Sequence, residues 1–568
     1  MSLSDRARRR VRYLLAVPCV CGVGSVAWAQ VIPASPPNAG SVLRQIQTPA
    51  PSQPQDLAAP DLVVPKTDQA TPSGGVTVEV RRFQLNGVPA SKAESLQPLV
   101  SPFTGAGKSL ADIEAAAKAI ETELRRQGRF LAQVIVPAQR MVEGVVELQV
   151  FEGRLGNVNV DVQPDANISR PLVDSTVEPL QGRPPIERDR IDGALLRLGD
   201  LRGIAVHSVL KPGEEPGVAD LDIYIDRGRR YAADVEYDNG GSVYTGRDRF
   251  YANLHMFDLA GRGDVTSLRA QASSGTRYLQ GSWLVPINGL GTRVGPVAGW
   301  LSYELGTPEF DPLDARGNAR WVGLQLQHPL IRSQDHNLFL QANIAQRRFE
   351  DEVRTFGIDT HRDVKGYGSI GLAGQMRDSY RGLNSYSFTV SSGKLGFDDA
   401  ADAALDAQSY RTEGRYAIYS FALSRLQAIT PRDSLLLGTQ AQLASRNLDS
   451  SEKYVLGGMS ALRGYPPTDS PADQAITLTW EYRRLLGLAL NGRWTGSLFG
   501  DYGFGRLHET PLPTDPDNTR DIHSHGIGLD YGNDTGLSIR GFAAWRGSEP
   551  AQTDDRRARV FVQASYAF

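Results

Sequence analysis

From Tyr231 to Phe568 the chain has no helical periodicity. It runs instead in segments of about ten residues that alternate apolar and polar side chains between Gly, Asp, Asn and Pro. In one segment Ile476, Leu478, Trp480 and Tyr482 face one way, and Thr477, Thr479, Glu481 and Arg483 the other. Leu537, Ile539, Ala543 and Trp545 oppose Ser538, Arg540 and Arg546, and Leu338, Leu340, Ala342 and Ile344 oppose Asn337, Gln341, Asn343 and Arg347. A water-soluble sandwich would turn its charged face outward and close on a dry core. Here Arg, Glu and Asp stand at strand centres on one face while large apolar residues occupy the other, which fits a transmembrane β-barrel with lipid outside and a wet, polar lumen. Sixteen antiparallel strands are predicted, starting near 231, 248, 264, 276, 292, 318, 336, 364, 385, 413, 433, 473, 492, 522, 535 and 558. That is about 21 residues per strand and connection, a spacing typical of an outer-membrane barrel. The last strand places Val560, Val562, Ala564, Tyr566 and Phe568 on one face.

The N-terminus carries a basic stretch (Arg6, Arg8, Arg9, Arg10 and Arg12), an apolar run too short to span a bilayer, and Ala27-Trp28-Ala29, so residues 1–29 read as a cleavable export signal. Both cysteines, Cys19 and Cys21, lie in that signal, so the mature chain is predicted to have neither a disulfide nor a thiolate metal site. The formal net charge of −3 includes the arginines of the leader, so the mature chain is more acidic still, which excludes a nucleic-acid partner. Residues 30–75 read as a Pro-rich linker in which Ser41 to Gln47 could form two helical turns, with Ser41 as N-cap and Leu43 and Ile46 on one face.

Residues 76–227 mix the two periodicities and repeat them. In the first unit, 76–152, Val76–Phe83, Leu131–Val136 and Val145–Phe151 read as strands. Ser109 and Asp112 open a helix whose apolar stripe is Ile113, Ala116, Ala117, Ile120 and Leu124. In the second, 153–227, strands at Val158–Val162, Ile204–Leu210 and Ala219–Ile225 accompany a helix at Glu187–Leu198. Two tandem α+β modules therefore precede the barrel of residues 228–568.

No catalytic constellation appears, so the chain does not read as an enzyme. Gly366-Tyr367-Gly368-Ser369-Ile370-Gly371 matches a dinucleotide fingerprint but lies inside a β-segment. His523 and His525 lack zinc-site spacing, no G-x-S-x-G occurs, and Arg262-Gly263-Asp264 reads as a tight turn. No cofactor or metal is called for. What does stand out is Leu462-Arg463-Gly464-Tyr465 in a long loop. Glu481 follows on the next strand, and Phe499, Asp501 and Gly503 share the lumen face of the one after. A loop arginine able to fold back onto two lumenal acids predicts a buried charge latch.

Together these residues resemble the transporter of two-partner secretion (TpsB), a branch of the outer-membrane insertase and translocase superfamily. Pro137 to Arg154 resembles the end of the family's first periplasmic POTRA domain, Leu462–Tyr465 its arginine-bearing loop-six tip, and Phe499, Asp501 and Gly503 the matching strand motif. The resemblance implies two POTRA domains in the periplasm and a sixteen-stranded barrel in the outer membrane of a Gram-negative bacterium. It also implies export, without ATP, of one large secreted exoprotein: a haemolysin, an adhesin or a contact-dependent toxin. Pro137 and Gln139 become candidate substrate-binding residues, residues 41–47 a short counterpart of the family's pore-plugging helix, and Tyr566 and Phe568 the outer-membrane targeting signal. Outer-membrane lipid, periplasmic chaperones and the barrel-assembly machinery are implied as further partners during biogenesis. An assembly insertase, or a passive porin, is the alternative reading. The former usually carries more POTRA units, and the latter has none.

Overall fold

The structure, a computed structural model, describes residues 37–47, 62–63, 77–129, 131–181, 188–215, 217–515 and 517–568. The expected export signal, residues 1–29, and most of the expected linker, residues 30–75, lie outside them. Helix α1 (Ala39–Gln47) starts two residues before Ser41. Asn38 is its cap: the Asn38 side-chain oxygen accepts from the Ser41 N–H at 3.0 Å, and the Ser41 hydroxyl accepts from the Asn38 N–H at 3.0 Å. Ser41 is therefore the third helical residue of a reciprocal cap, not the N-cap.

Each small module has the element order β-α-α-β-β. The first is Arg82–Asn86, α2 (Ala90–Val100), α3 (Leu110–Arg126), Gln133–Ile135 and Val145–Phe151. The second is Arg154–Val162, α4 (Arg170–Val177), α5 (Arg188–Asp200), Ile204–Pro212 and Val218–Arg227. In both, the third strand sits centrally, parallel to the first and antiparallel to the second. The helices pack over one sheet face, burying Phe83, Ile120, Leu124 and Leu148 in one module and Ile191, Leu195, Leu198 and Ile223 in the other. Ser109 and Asp112 form a complete capping box on α3. The strand expected over Val76–Phe83 divides: Val78–Val80 pairs with Gly105–Lys108 in a separate two-stranded sheet, while Arg82–Asn86 joins the main one.

The second module has a free edge at Ile204–Pro212, and the linker covers part of it. Leu62 and Val63 pair in parallel with Ser208 and Val209. The same module is fastened to the periplasmic end of the barrel. Arg332, at the end of the sixth barrel strand, forks onto Asp200 at 2.9 and 2.8 Å. The Arg262-Gly263-Asp264 turn docks beneath it, with Ser169 N–H donating to Gly261 O and Arg202 N–H to Gly263 O. The connection into the barrel is short and ordered: Gly228 N–H donates to Gly203 O, and Phe257 N–H to Arg230 O.

The barrel closes with sixteen antiparallel strands, the first (Tyr231–Asp238) pairing with the last (Ala558–Ala567). Its wall is uneven. Strands one to three have 8, 9 and 8 residues, whereas six to eight have 18, 18 and 20. The eighth begins at Ile358, six residues before the expected start, because its extension outside the membrane pairs with the end of the seventh. The G-x-G-x-x-G run lies in this strand at a bulge, where Gly366 adopts φ +60°.

The upper lumen is packed rather than wet. Helix α1 lies within it, burying Val42, Leu43 and Ile46 in a cluster with Tyr278, Leu301, Tyr303, Trp321 and Phe349 from the wall. Ala39 N–H donates to the Asp351 carboxylate at 2.7 Å, and Arg44 donates to Lys453 O and to Gln442. The tall strands thus serve as a socket for α1, which fills space that alternation alone assigns to water.

Candidate functional site

Residues 445–473, joining the eleventh strand (Asp433–Ala444) to the twelfth (Gln474–Ala489), form the sixth loop on the outer side. This loop turns inward. Its arms pair at Tyr454–Val455 and Pro471–Ala472, and the tip is closed by Leu462 N–H donating to Leu456 O and Tyr465 N–H to Leu462 O. Leu456, Leu462 and Tyr465 pack against Ala472, Ala475 and Ile522, an apolar seat that delivers Arg463 to the wall.

Arg463, Asp501 and Glu481 are only 6, 4 and 2 % exposed. Arg463 Nη2 and Nε meet the two Asp501 oxygens at 2.7 and 3.1 Å, its backbone N–H donates to the same carboxylate at 3.2 Å, and Nη1 reaches Glu481 at 2.6 Å. Nη2 also donates to the Thr479 hydroxyl at 3.2 Å. Thr479 and Ser524 each donate to Asp501, at 2.8 and 2.9 Å. Glu481 further accepts from Arg483 at 2.7 Å and from Arg540 at 3.0 Å. The guanidinium lies 3.4 Å from the Phe499 ring centroid, so one plane is both forked onto carboxylates and stacked on an aromatic face. Every member is paired, which is the condition under which such a cluster can stand in a buried site.

Two glycines allow the approach. A Cβ on Gly464 would fall 2.7 Å from Ser524 Cβ and 2.9 Å from the Arg546 backbone, so the tip could not sit this close to the wall with any side chain there. A Cβ on Gly503 would press on Leu462 at 2.7 Å. Tyr465 then donates its hydroxyl to Glu549 O in loop eight at 3.0 Å.

The structure therefore brings together Leu462, Arg463, Gly464, Tyr465, Glu481, Phe499, Asp501 and Gly503. The other sequence candidates lie elsewhere. The Gln139 amide is occupied: its Nε2 donates to Glu147 O at 2.8 Å and its oxygen accepts from Glu147 N–H at 2.7 Å, so it acts as a stand-in strand residue at the end of Gln133–Ile135. Both ends of the Gln139 amide thus already bind its own sheet. Pro137 follows the same edge strand. Tyr566 and Phe568 lie on the lipid face, their rings edge to face at 4.9 Å, and Phe568 N–H donates to Ala233 O at the barrel seam.

The sequence reading missed the ties at the other arm of the loop. Arg362 bridges Asp351 at 2.5 Å and Asp449, and Arg347 meets Glu452 at 2.7 Å while lying 3.7 Å from the Tyr367 ring. Outside the membrane, Lys453 binds Asp473 at 2.8 Å and donates to His508 at 3.3 Å, and His508 stacks on Tyr410 at 3.8 Å. Burial, reinforced by the Lys453 charge, pushes the His508 imidazole down to about 4, so it is neutral near pH 7.

This geometry has close relatives. The family described as haemolysin secretion/activation protein ShlB/FhaC/HecB matches residues 217–529, and the ShlB-type POTRA domain matches residues 78–153. The heme/hemopexin transporter protein HuxB of Haemophilus influenzae is 26% identical over 445 residues, 77% of this chain and 78% of that protein. The outer membrane transporter CdiB of Escherichia coli is 21% identical over 485 residues, 80% and 78% of the two. Among solved structures, CdiB from Escherichia coli superposes with a TM-score of 0.65 at 18% identity, covering 94% of this chain and 96% of that one. BamA from Haemophilus ducreyi lacking POTRA domains 1–3 gives 0.53 at 12% identity, covering 86% and 100%. With its periplasmic POTRA region, closed sixteen-stranded barrel and inward-folded sixth loop, the chain belongs to the haemolysin secretion/activation family, the outer-membrane transporters of two-partner secretion that carry an exoprotein across the outer membrane.

Proposed function

We propose that this chain captures its exoprotein by strand addition in the periplasm and threads it through a lumen that α1 and loop six close at rest. One observation carries the reading: both elements inside the closed barrel are held by side-chain pairs rather than by continuation of the wall's backbone ladder, so they can leave without opening the barrel. Gln133–Ile135 is an edge strand of the first POTRA sheet, and among the described residues no strand pairs with its outer side. Such an edge offers unpaired N–H and C=O groups to an extended chain. Pro137 and the Gln139 pseudo-strand mark where that edge ends. The chain carries no nucleotide motif, so folding of the exoprotein outside the cell is the driving force. The partner is one large secreted exoprotein of haemolysin, adhesin or contact-dependent toxin type. Periplasmic chaperones and the barrel-assembly machinery handle the transporter itself, with Tyr566 and Phe568 as its lipid-face signal. Deleting residues 77–152 tests the reading: the barrel should still insert, and the partner should remain in the periplasm. Undiminished secretion by that deletion would refute capture by the first POTRA domain.

A further inference from the structure

A cavity of about 470 Å³ opens in the lumen at the periplasmic end, below the latch. Arg432, Arg483, Arg493 and Arg540 line it, with Asp433 and Asp530 as its acids. Alternation places Arg483, Arg493 and Arg540 on the lumen face of strands twelve, thirteen (Gly492–Arg506) and fifteen (Leu537–Arg546), and Arg432 caps the turn before strand eleven. The four arginines differ in what they already hold. Arg483 and Arg540 converge on Glu481, and Arg540 also meets Asp530 at 3.2 Å. Asp433 is turned to Arg484 and to the Tyr482 hydroxyl. Arg432 and Arg493 are exposed and, among the described residues, their guanidinium groups form no hydrogen bond or close ion pair; the Arg432 charge acts on Asp433 only from a distance.

We infer that this vestibule is a docking site for acidic segments of the exported polypeptide, with Arg432 and Arg493 as the residues that bind them. The inference rests on the export reading and adds a substrate preference to it. Two observations favour a polypeptide. The cavity lies inside the barrel wall, on the route from the POTRA side into the lumen, and its two unengaged side chains are planar forks suited to carboxylates. An anion there adds no pull on Arg463. Drawing Arg540 or Arg483 off Glu481 would leave that acid more dependent on Arg463, so the vestibule selects by charge and does not spring the latch.

The test uses the full-length transporter in phosphatidylcholine nanodiscs, with fluorescent hexaglutamate and hexalysine as probes. Hexaglutamate should bind, with an affinity that falls as salt rises, and hexalysine should not. The Arg432→Gln/Arg493→Gln double variant, which breaks no internal ion pair, should bind hexaglutamate about tenfold or more weakly. A spin label at position 460 should report a seated loop six in that variant as in the wild type. Arg463→Ala should keep the peptide affinity, so failure of the latch and failure of the vestibule are separable. Equal hexaglutamate affinity in the double variant, or equal binding of hexalysine, would overturn the inference. So would phosphatidylglycerol in the disc abolishing peptide binding while the double variant loses that lipid, since the site would then belong to a lipid headgroup.

Discussion

Replacing Arg463 by alanine removes the centre of the latch and leaves its two acids unequal. Glu481 keeps Arg483 and Arg540, whereas Asp501 keeps no cation, only the Thr479 and Ser524 hydroxyls and the backbone N–H of residue 463. The deficit therefore falls on Asp501, whose side chain is 1% exposed. Breaking a buried ion pair by removing one partner typically costs about 3–5 kcal/mol. Three neutral donors remain on Asp501, so the lower end applies, about 3 kcal/mol, or roughly a hundredfold shift of loop six away from its seat. The barrel ladder is untouched, so abundance in the membrane should be unchanged. The apolar seat of Leu456, Leu462 and Tyr465 also survives, so the loop should exchange between positions rather than unfold. Secreted exoprotein at equal barrel abundance, together with the mobility of a spin label at position 460, measures the effect. Secretion should fall strongly and the label should loosen. Arg463→Lys should recover only part of both, because one ammonium cannot fork onto Asp501 while reaching Glu481. Wild-type secretion with an immobile label in Arg463→Ala would show that the cluster is ornamental and the latch argument wrong.

Gly464→Ala should reproduce the label loosening with all charges intact, because its Cβ meets backbone that cannot yield; an unchanged spectrum would refute the close-approach argument. The His508 pKa lies at about 4, below the ordinary 6.5 of an imidazole, so a released His508 binds the proton first and stability is lost as pH falls from about 6.5 towards 4. The contact of His508 with Tyr410 and Lys453 should thus weaken by about 1–2 kcal/mol on acidification, the solvent at this half-buried site screening part of the shift, seen as rising mobility of a label at position 517, with the pH dependence flattened in His508→Gln. Deleting residues 37–47 should raise single-channel conductance, and combining that deletion with Arg463→Ala should raise it further; equal conductances would mean that loop six does not limit the open lumen.

The barrel was legible because a membrane strand leaves a mark on every second residue, and sixteen starts could be placed from alternation and turn chemistry alone. The same rule put Arg540 and Glu481 on one lumen face without pairing them. Arg362–Asp449 and Arg347–Glu452 join residues about a hundred positions apart, where spacing carries no signal and only closure of the sheet brings them together. Helices α2 and α4 escaped detection for a different reason. Helix α2 buries only Leu96 and Val100 and carries Pro98 inside it, and α4 has eight residues, so neither shows enough periods of a 3.6-residue stripe. The packed lumen was hidden too. Alternation tells which face is enclosed, not what a separate segment of the chain later places there, and α1 is separated from its socket by the whole POTRA region.

Loop six is held on two walls, and that decides how the lumen can open. Its first arm is tied to α1 and to the tall strands: Ser450 donates to Asn38 at 2.6 Å, Arg44 to Lys453 O at 3.1 Å, and Asp449 and Glu452 take Arg362 and Arg347. Its tip is tied across the lumen to strands twelve and thirteen through Glu481 and Asp501. Departure of α1 removes only the first two of these ties, and no contact in the Arg463 cluster involves the helix. The helix and the Arg463 cluster therefore hold loop six at separate points. A chain that displaces α1 gains the socket side of the lumen and still meets loop six. We propose that full-width passage requires the Asp501–Arg463 pair to part as well, so that the buried charge cluster, rather than the helix, sets the final aperture.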